Sequence, residues 1–171
     1  MAKREVKFKD KMLSLVGTQL KAGDSAPDFA CVSQGLEVTT LGSTPKKTRL
    51  FSVVPSLDTP VCSQQTKKFD EALGSMKDQV AAYTISLDMP FAQKRFCAAE
   101  HVGNMQTLSD LHNQSFGKSY GVLIEGLPMP LLSRAVFVVD KNNKITYCEY
   151  VPEVGQHPNY EGALAALKAA V

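Results

Sequence analysis

The 171-residue sequence predicts a mixed α/β fold, with residues 1–171 forming a single domain. Short apolar runs at 50–54 and 80–86 are typical of buried strands. The segment 63–76 between them carries apolar residues at helical spacing, which indicates a strand–helix–strand unit with parallel strands. Near the C-terminus, two more strand-like runs flank a strong hairpin-turn signal at 140–143.

The remaining elements follow from shorter patterns. Residues 5–16 alternate weakly between apolar and polar, and Asp10 and Lys11 would form the turn of an N-terminal hairpin. Leu111 and Phe116 are expected to point inward from a helix. The other predicted elements are strands at 28–32, 37–41 and 107–109, helices at 91–99, 110–120 and 159–171, a loop at 121–132, and hairpin strands at 135–139 and 144–150.

Composition excludes several classes of protein. With 44% hydrophobic and 21% charged residues, the chain resembles ordinary soluble globular proteins. The net charge of +2 argues against a dedicated nucleic-acid binder. No signal-peptide pattern is visible, and no apolar run approaches the ~20 residues of a membrane span. We therefore expect a cytoplasmic protein with no nucleic-acid or membrane partner.

The cysteine and histidine spacings predict neither a metal site nor another cofactor. The four cysteines include no C-x-x-C pair, and the three histidines show no ligand spacing. Scattered cysteines in a reducing compartment are more often catalytic or inert than disulfide-bonded. Cys31 and Cys148 fall on predicted strands and are expected to be packed side chains.

Cys62 lies where the central strand at 50–54 gives way to a helix. Thr59 is placed to be the N-cap of that helix and Pro60 its first residue. A sulfur in the first turn meets unpaired backbone N–H groups and the positive end of the helix dipole, which favour the nucleophilic thiolate. The alternative is a packed structural thiol, since free cysteine is often buried; the position beside Thr59 and Pro60 favours function.

The helix dipole alone is too weak to hold a thiolate. Lowering the pKa of a cysteine from ~8.5 to ~6 requires roughly 3.4 kcal/mol of preference for the thiolate. A helix terminus supplies about 0.3–1 kcal/mol, and ~2 kcal/mol in a favourable, partly buried site. A guanidinium ~4 Å away contributes up to ~4 kcal/mol before desolvation is subtracted. We therefore expect an arginine from elsewhere to fold against Cys62, and the residues leave Arg49, Arg95 and Arg134 open.

Three motifs, in order along the chain, resemble those of one family. The string from Pro55 to Cys62, PSLDTPVC, matches the Pro-x-x-x-Thr-x-x-Cys signature of the peroxiredoxins and resembles the thiol peroxidase subfamily in particular. Residues 86–97 resemble the segment that ends in the second redox cysteine, and 133–140 the strand that brings the active-site arginine, here Arg134. The resemblance implies a thioredoxin-like fold, a central mixed β-sheet flanked by helices with an N-terminal β-hairpin.

The resemblance also implies an activity. It is that of a thiol-dependent peroxidase that reduces hydrogen peroxide and organic or lipid hydroperoxides. Cys62 would be the peroxidatic cysteine, oxidised to a sulfenic acid. Cys97 would be the resolving cysteine of an intramolecular disulfide, which thioredoxin then reduces. The subfamily's usual homodimer is expected too.

The resemblance assigns further residues to the site. Thr59 and Arg134 complete the catalytic set, and Pro55, Pro60 and Val61 line the substrate pocket. Apolar residues of the 121–132 loop are expected at the pocket rim, where they would favour alkyl hydroperoxides: Leu127, Met129, Leu131 and Leu132.

The two redox cysteines are not expected to touch in the reduced fold. Cys62 lies at a helix start and Cys97 in the middle of a helix, whereas a disulfide needs Cα atoms within roughly 4.4–6.8 Å. We expect the first turn after Cys62 and the 91–99 helix to unwind on oxidation. An alternative function, a peroxide-sensing relay that passes its disulfide to a partner, would use the same cysteines. A thioredoxin-like binding module would lack peroxide reactivity.

Overall fold

The computed structural model describes residues 3–171. In this part of the chain the strands are β1 (Glu5–Phe8), β2 (Lys11–Val16), β3 (Ala30–Ser33), β4 (Val38–Thr40), β5 (Thr48–Val53), β6 (Val80–Ser86), β7 (Gln106–Ser109), β8 (Leu123–Glu125), β9 (Leu131–Leu132), β10 (Ala135–Val139) and β11 (Ile145–Tyr150). The α-helices are α1 (Pro60–Ala72), α2 (Pro90–Ala99), α3 (Ser115–Ser119) and α4 (Tyr160–Ala169). None of the described helices is both long and apolar enough to cross a membrane.

Seven strands form a mixed central sheet in the order β11-β10-β5-β6-β7-β3-β4. β5, β6 and β7 are parallel, and the other pairings are antiparallel. Alternate residues of β5 serve the two faces of this sheet. Leu50 belongs to the same buried cluster as Phe69 of α1 and Leu167 of α4, whereas Phe51 and Val53 belong to the core on the opposite face. The predicted mixed sheet flanked by helices is confirmed.

The register of β10 against β5 sets up the site. These strands run antiparallel with Ala135 opposite Val53, so the start of β10 lies beside the carboxyl end of β5. Arg134, directly before β10, is thereby carried to the turn that follows β5. Parallel α/β sheets place their functional groups at this carboxyl edge.

The N-terminal hairpin belongs to a second sheet. β1 and β2 pair antiparallel, with Phe8 opposite Lys11, and β2 also pairs with β8 to give the order β1-β2-β8-β9. The prediction that 121–132 is only a loop is therefore wrong. Both β8 and β9 lie within it: β8 pairs with β2, more than 100 residues earlier in the chain, and β9 pairs with β8 at the edge of this sheet.

The predicted helix at 110–120 is also wrong in most of its length. Only Ser115–Ser119 is helical. Asp110 is instead buried, and its carboxylate accepts hydrogen bonds from the backbone N–H groups of Phe116 (3.0 Å) and Gly117 (2.7 Å). Leu111, expected to point inward, is exposed. The carboxylate competes with the helical backbone for these amides, so the helix begins five residues later.

Candidate active site

The turn after β5 ends in a helix that starts where the sequence predicted. Thr59 is the N-cap residue by backbone geometry, and Pro60 is the first residue of α1. The Thr59 side chain makes no capping hydrogen bond; its hydroxyl donates to the Ser56 carbonyl at 2.8 Å. The hydroxyl therefore closes the turn and is not bonded to the sulfur of Cys62.

Arg134 is the arginine that lies against Cys62. The Cys62 side chain is fully buried, and Arg134 Nη2 donates to its Sγ at 3.4 Å. Of the other two candidates, Arg95 is exposed and lies 3.9 Å from a carboxylate oxygen of Asp58. Arg49 is buried elsewhere, against the turn between β10 and β11.

Two acceptors hold the Arg134 guanidinium in place. The Val154 carbonyl accepts from Nε at 3.0 Å and from Nη2 at 2.8 Å, and the Gln65 Oε1 accepts from Nη1 at 3.0 Å. Gln65 is itself fixed, because its Nε2 donates to Ser52 Oγ on β5 at 2.8 Å. Sequence reasoning missed Gln65. Gln65 lies three residues after Cys62 on the same face of the helix, and this spacing could have identified it.

A cavity of about 700 Å³ opens beside this contact. Its wall includes the three residues expected to bind substrate, Pro55, Pro60 and Val61, together with Thr59 and Arg134. Cys62 is not part of the wall, so the sulfur lies behind it. The apolar part of the wall comes from Phe8, Met129, Leu131 and Val154. Leu127 and Leu132, the other two residues expected at the rim, do not line it.

Cys97 lies in α2 in a different environment. Its side chain is buried, and its Sγ accepts a hydrogen bond from Gln34 Nε2 at 3.5 Å. The same amide donates to Thr107 Oγ1 at 2.7 Å. Burial raises the pKa of the Cys97 thiol, and hydrogen bonds from Gln34 and Thr107 offset part of that rise. Sequence reasoning missed Gln34, for which it held no signal.

The structure does not bring the two predicted redox cysteines together. All four thiols of the chain are free. Phe96 of α2 packs against the small buried cluster of Val54, Leu57 and Cys62. Cys97, the next residue, is held by Gln34. A bond between the two sulfurs therefore requires α2 to rearrange.

Known proteins are similar to this chain in sequence and in fold over nearly its full length. Residues 21–164 match the model of the Redoxin family. The thiol peroxidase of Listeria innocua is 51% identical over 166 residues, covering 97% of this chain and 99% of that protein. The thiol peroxidase of Bacillus subtilis strain 168 is 46% identical over 167 residues, covering 98% of each chain.

Two solved structures superpose closely on this chain. A peroxiredoxin-like protein from Aquifex aeolicus superposes with a TM-score of 0.91 at 40% identity, covering 98% of both chains. A thiol peroxidase from Chromobacterium violaceum superposes with a TM-score of 0.88 at 24% identity, covering 99% of this chain and 98% of that one, and shares the fold. The chain thus belongs to the Redoxin family and, within it, to the thiol peroxidases, the peroxiredoxin enzymes that its PSLDTPVC string resembles.

Proposed function

We propose that Cys62 is the peroxidatic cysteine of a hydroperoxide reductase. Its thiolate attacks the terminal oxygen of ROOH, so that an S–O bond forms as the O–O bond breaks. The departing RO⁻ takes up a proton to give ROH, and Cys62 is left as a sulfenic acid. The observation that carries the proposal is the 3.4 Å contact between Arg134 Nη2 and Cys62 Sγ, next to a cavity that Arg134 also lines.

Arg134 would act on both ends of this reaction. Its positive charge stabilises a negative sulfur before attack, in a buried site where solvent screens the interaction weakly. As charge moves to the departing oxygen, the guanidinium and the amides of Val61 and Cys62 in the first turn of α1 are donors that can stabilise it. Because the sulfur is fully buried, the peroxide must displace part of the cavity wall to reach it.

The apolar wall supports the proposal that bulky substrates are accepted. We propose that the enzyme reduces organic and lipid hydroperoxides as well as hydrogen peroxide, since Phe8, Met129 and Leu131 offer an apolar surface to an alkyl chain. Met129→Ser tests this with little risk to folding, because Met129 is 62% exposed. It should lower kcat/KM for a long-chain hydroperoxide about threefold to tenfold and leave the value for hydrogen peroxide unchanged. Equal effects on both substrates would contradict the proposal.

We propose that Cys97 then resolves the sulfenic acid. The Cys97 sulfur bonds to the Cys62 sulfur, and the sulfenic hydroxyl leaves with the thiol proton as water. The free thiols and the separate surroundings of the two cysteines support a step that needs local unwinding of α2. Reduction of the disulfide by thioredoxin, assembly as a homodimer and a cytoplasmic location are proposed from the resemblance to the family.

Rapid-quench mass spectrometry of peroxide-treated protein tests these roles. Cys62→Ser should abolish the reaction with peroxide. Cys97→Ser should keep the first oxidation but accumulate sulfenic and then sulfinic acid at Cys62, without an intramolecular disulfide. A Cys62 bridge to Cys31 or Cys148, or one between chains, would contradict the assignment of Cys97. Sustained turnover with a thioredoxin system distinguishes this enzyme from a relay that passes its disulfide to another partner.

A further inference from the structure

A second cavity is lined in part by Cys97. Its volume is about 410 Å³, and Cys97, Gln34, Thr107 and Gln106 all contribute to its wall. Gln34 lies half-buried directly after β3, in the turn that leads to β4. Its amide nitrogen reaches two atoms at once, Cys97 Sγ at 3.5 Å and Thr107 Oγ1 at 2.7 Å. This single amide therefore ties α2 to the turn after β3 and to β7.

The contact with Gln34 keeps Cys97 on a face of α2 from which its sulfur cannot bond to that of Cys62. Phe96 is the α2 residue that packs against the cluster containing Cys62, while the Cys97 sulfur contacts Gln34. Neighbouring residues of a helix point about 100° apart, so the helix must turn or unwind before the two sulfurs can meet. That movement breaks the contact with Gln34. The contact joins neutral partners and is weak enough to break in each catalytic cycle.

We propose that Gln34 is a positioning residue that holds the Cys97 thiol away from Cys62 and thereby sets the rate of disulfide formation. This rests on the proposed role of Cys97 as the resolving cysteine. While Cys97 is held, the sulfenic acid at Cys62 stays open to a second hydroperoxide, which oxidises it to the sulfinic acid and leaves as ROH. Gln34 therefore also sets the fraction of enzyme lost to over-oxidation at a given peroxide concentration.

Gln34→Met is the sharpest test, because methionine keeps the side-chain volume and loses the N–H donor. Rapid-quench mass spectrometry would follow sulfenic acid formation and disulfide formation as two phases. The second phase should be about two- to tenfold faster, the factor expected from losing one neutral hydrogen bond. The sulfinic fraction should fall by a similar factor, and the first phase should be unchanged. A purely structural role would not produce this split between the phases.

Two more variants make the test specific. Gln106→Met alters another glutamine of the same cavity, exposed on β7, and should leave both phases unchanged. Thr107→Val removes, at constant shape, both the acceptor of the Gln34 amide and the hydrogen bond of Thr107 to the Cys97 thiol, and should also accelerate the second phase. If a thermal melt shows that Gln34→Met does not fold, Gln34→Leu, which also lacks the N–H donor, carries the test.

The outcomes separate this inference from the proposed function. A second phase that is unchanged or slower in Gln34→Met, with Cys97→Ser still unable to form the disulfide, overturns the role of Gln34 and leaves Cys97 as the resolving cysteine. A disulfide at Cys62 that persists in Cys97→Ser overturns the proposed function itself, and the role of Gln34 with it.

Discussion

Cys62 and Cys97 are both buried in α-helices, yet their surroundings differ in charge. Cys62 has a guanidinium 3.4 Å from its sulfur, held by a backbone carbonyl and a fixed glutamine. Cys97 has neutral hydrogen-bond partners, the Gln34 amide at 3.5 Å and the Thr107 hydroxyl, and burial raises its pKa. Burial is common to both, so burial does not decide reactivity. A guanidinium contacts the Cys62 sulfur and only neutral groups contact the Cys97 sulfur, which supports the proposed roles of Cys62 in the attack on peroxide and of Cys97 in the later step.

The largest expected effect comes from removing the cation from the Cys62 side. Arg134→Met should slow the reaction of Cys62 with peroxide by roughly 10²–10³-fold, because a charged donor is lost both at the sulfur and at the departing oxygen. Stopped-flow competition with a peroxide-reactive reporter measures this rate.

Arg95→Met is the matched control for that change. It removes an exposed arginine of α2 and should leave the same rate unchanged. If Arg134→Met lowers the rate of reaction with peroxide by less than about tenfold, the charge difference between the Cys62 and Cys97 sites does not explain their reactivity, since Cys62 would then react without its cation.

The rate of disulfide formation by Cys97 should depend on pH. Its pKa is raised in the closed helix, so the closed state binds the proton more tightly than the opened one. The stability that this adds to the closed helix is complete below the ordinary thiol pKa of about 8.5 and is lost as the pH rises from there through the raised value. The opened thiol also gains thiolate about tenfold per pH unit below its ordinary pKa. Disulfide formation, followed by rapid quench, should accelerate by up to that factor per unit; a rate that does not change with pH would contradict it.

A negative charge next to the Arg134 guanidinium would test how strongly that guanidinium controls the reactivity of Cys62. Gln65→Glu keeps the shape of the side chain but puts a carboxylate on the guanidinium that faces Cys62. The two charges partly cancel at the sulfur, and the rate of reaction with peroxide should fall by about tenfold. Gln65→Met, which adds no charge, should cost less than Gln65→Glu. A faster reaction in Gln65→Glu than in the parent would show that the field of Arg134 does not control the sulfur.

The smallest effect is expected from salt. Two exposed ion pairs join α2 to α1 and to the turn before it, Lys67–Glu100 at 2.8 Å and Arg95–Asp58 at 3.9 Å. Exposed pairs contribute little and are screened by salt. High salt, or Lys67→Met, should therefore speed disulfide formation by less than about twofold. A change of several-fold would mean that these pairs, and not Gln34, hold the Cys97 helix closed.

The central elements were predictable because their signals are local. The strands at 50–54 and 80–86 are buried on both faces and read as continuous apolar runs. The helix at 110–120 was predicted wrongly, because the Asp110 carboxylate takes the amides of Phe116 and Gly117 through a tertiary arrangement that propensity does not describe. The strands within 121–132 were missed because β8 pairs with β2, which is far away in sequence, and β9 then adds to β8.

The same division applies to the site. Cys62, Thr59 and Pro60 stand in one short string, and the need for a cation followed from charge alone. The choice of Arg134 over Arg49 and Arg95 needed the family resemblance, since it depends on the register of β10 against β5. Gln34 could not be found, because its contact depends on a loop meeting a distant helix.

The position of Gln65 has a consequence for repeated cycles. Gln65 lies in the second turn of α1, and the other support of Arg134 is the carbonyl of Val154, outside the helix altogether. If the first turn of α1 unwinds during disulfide formation, as expected from the sequence, neither of these two contacts with Arg134 has to break. The Arg134 guanidinium can then keep its position while Cys62 is displaced. After the disulfide is reduced, the Cys62 sulfur would return to a cation that is already in place.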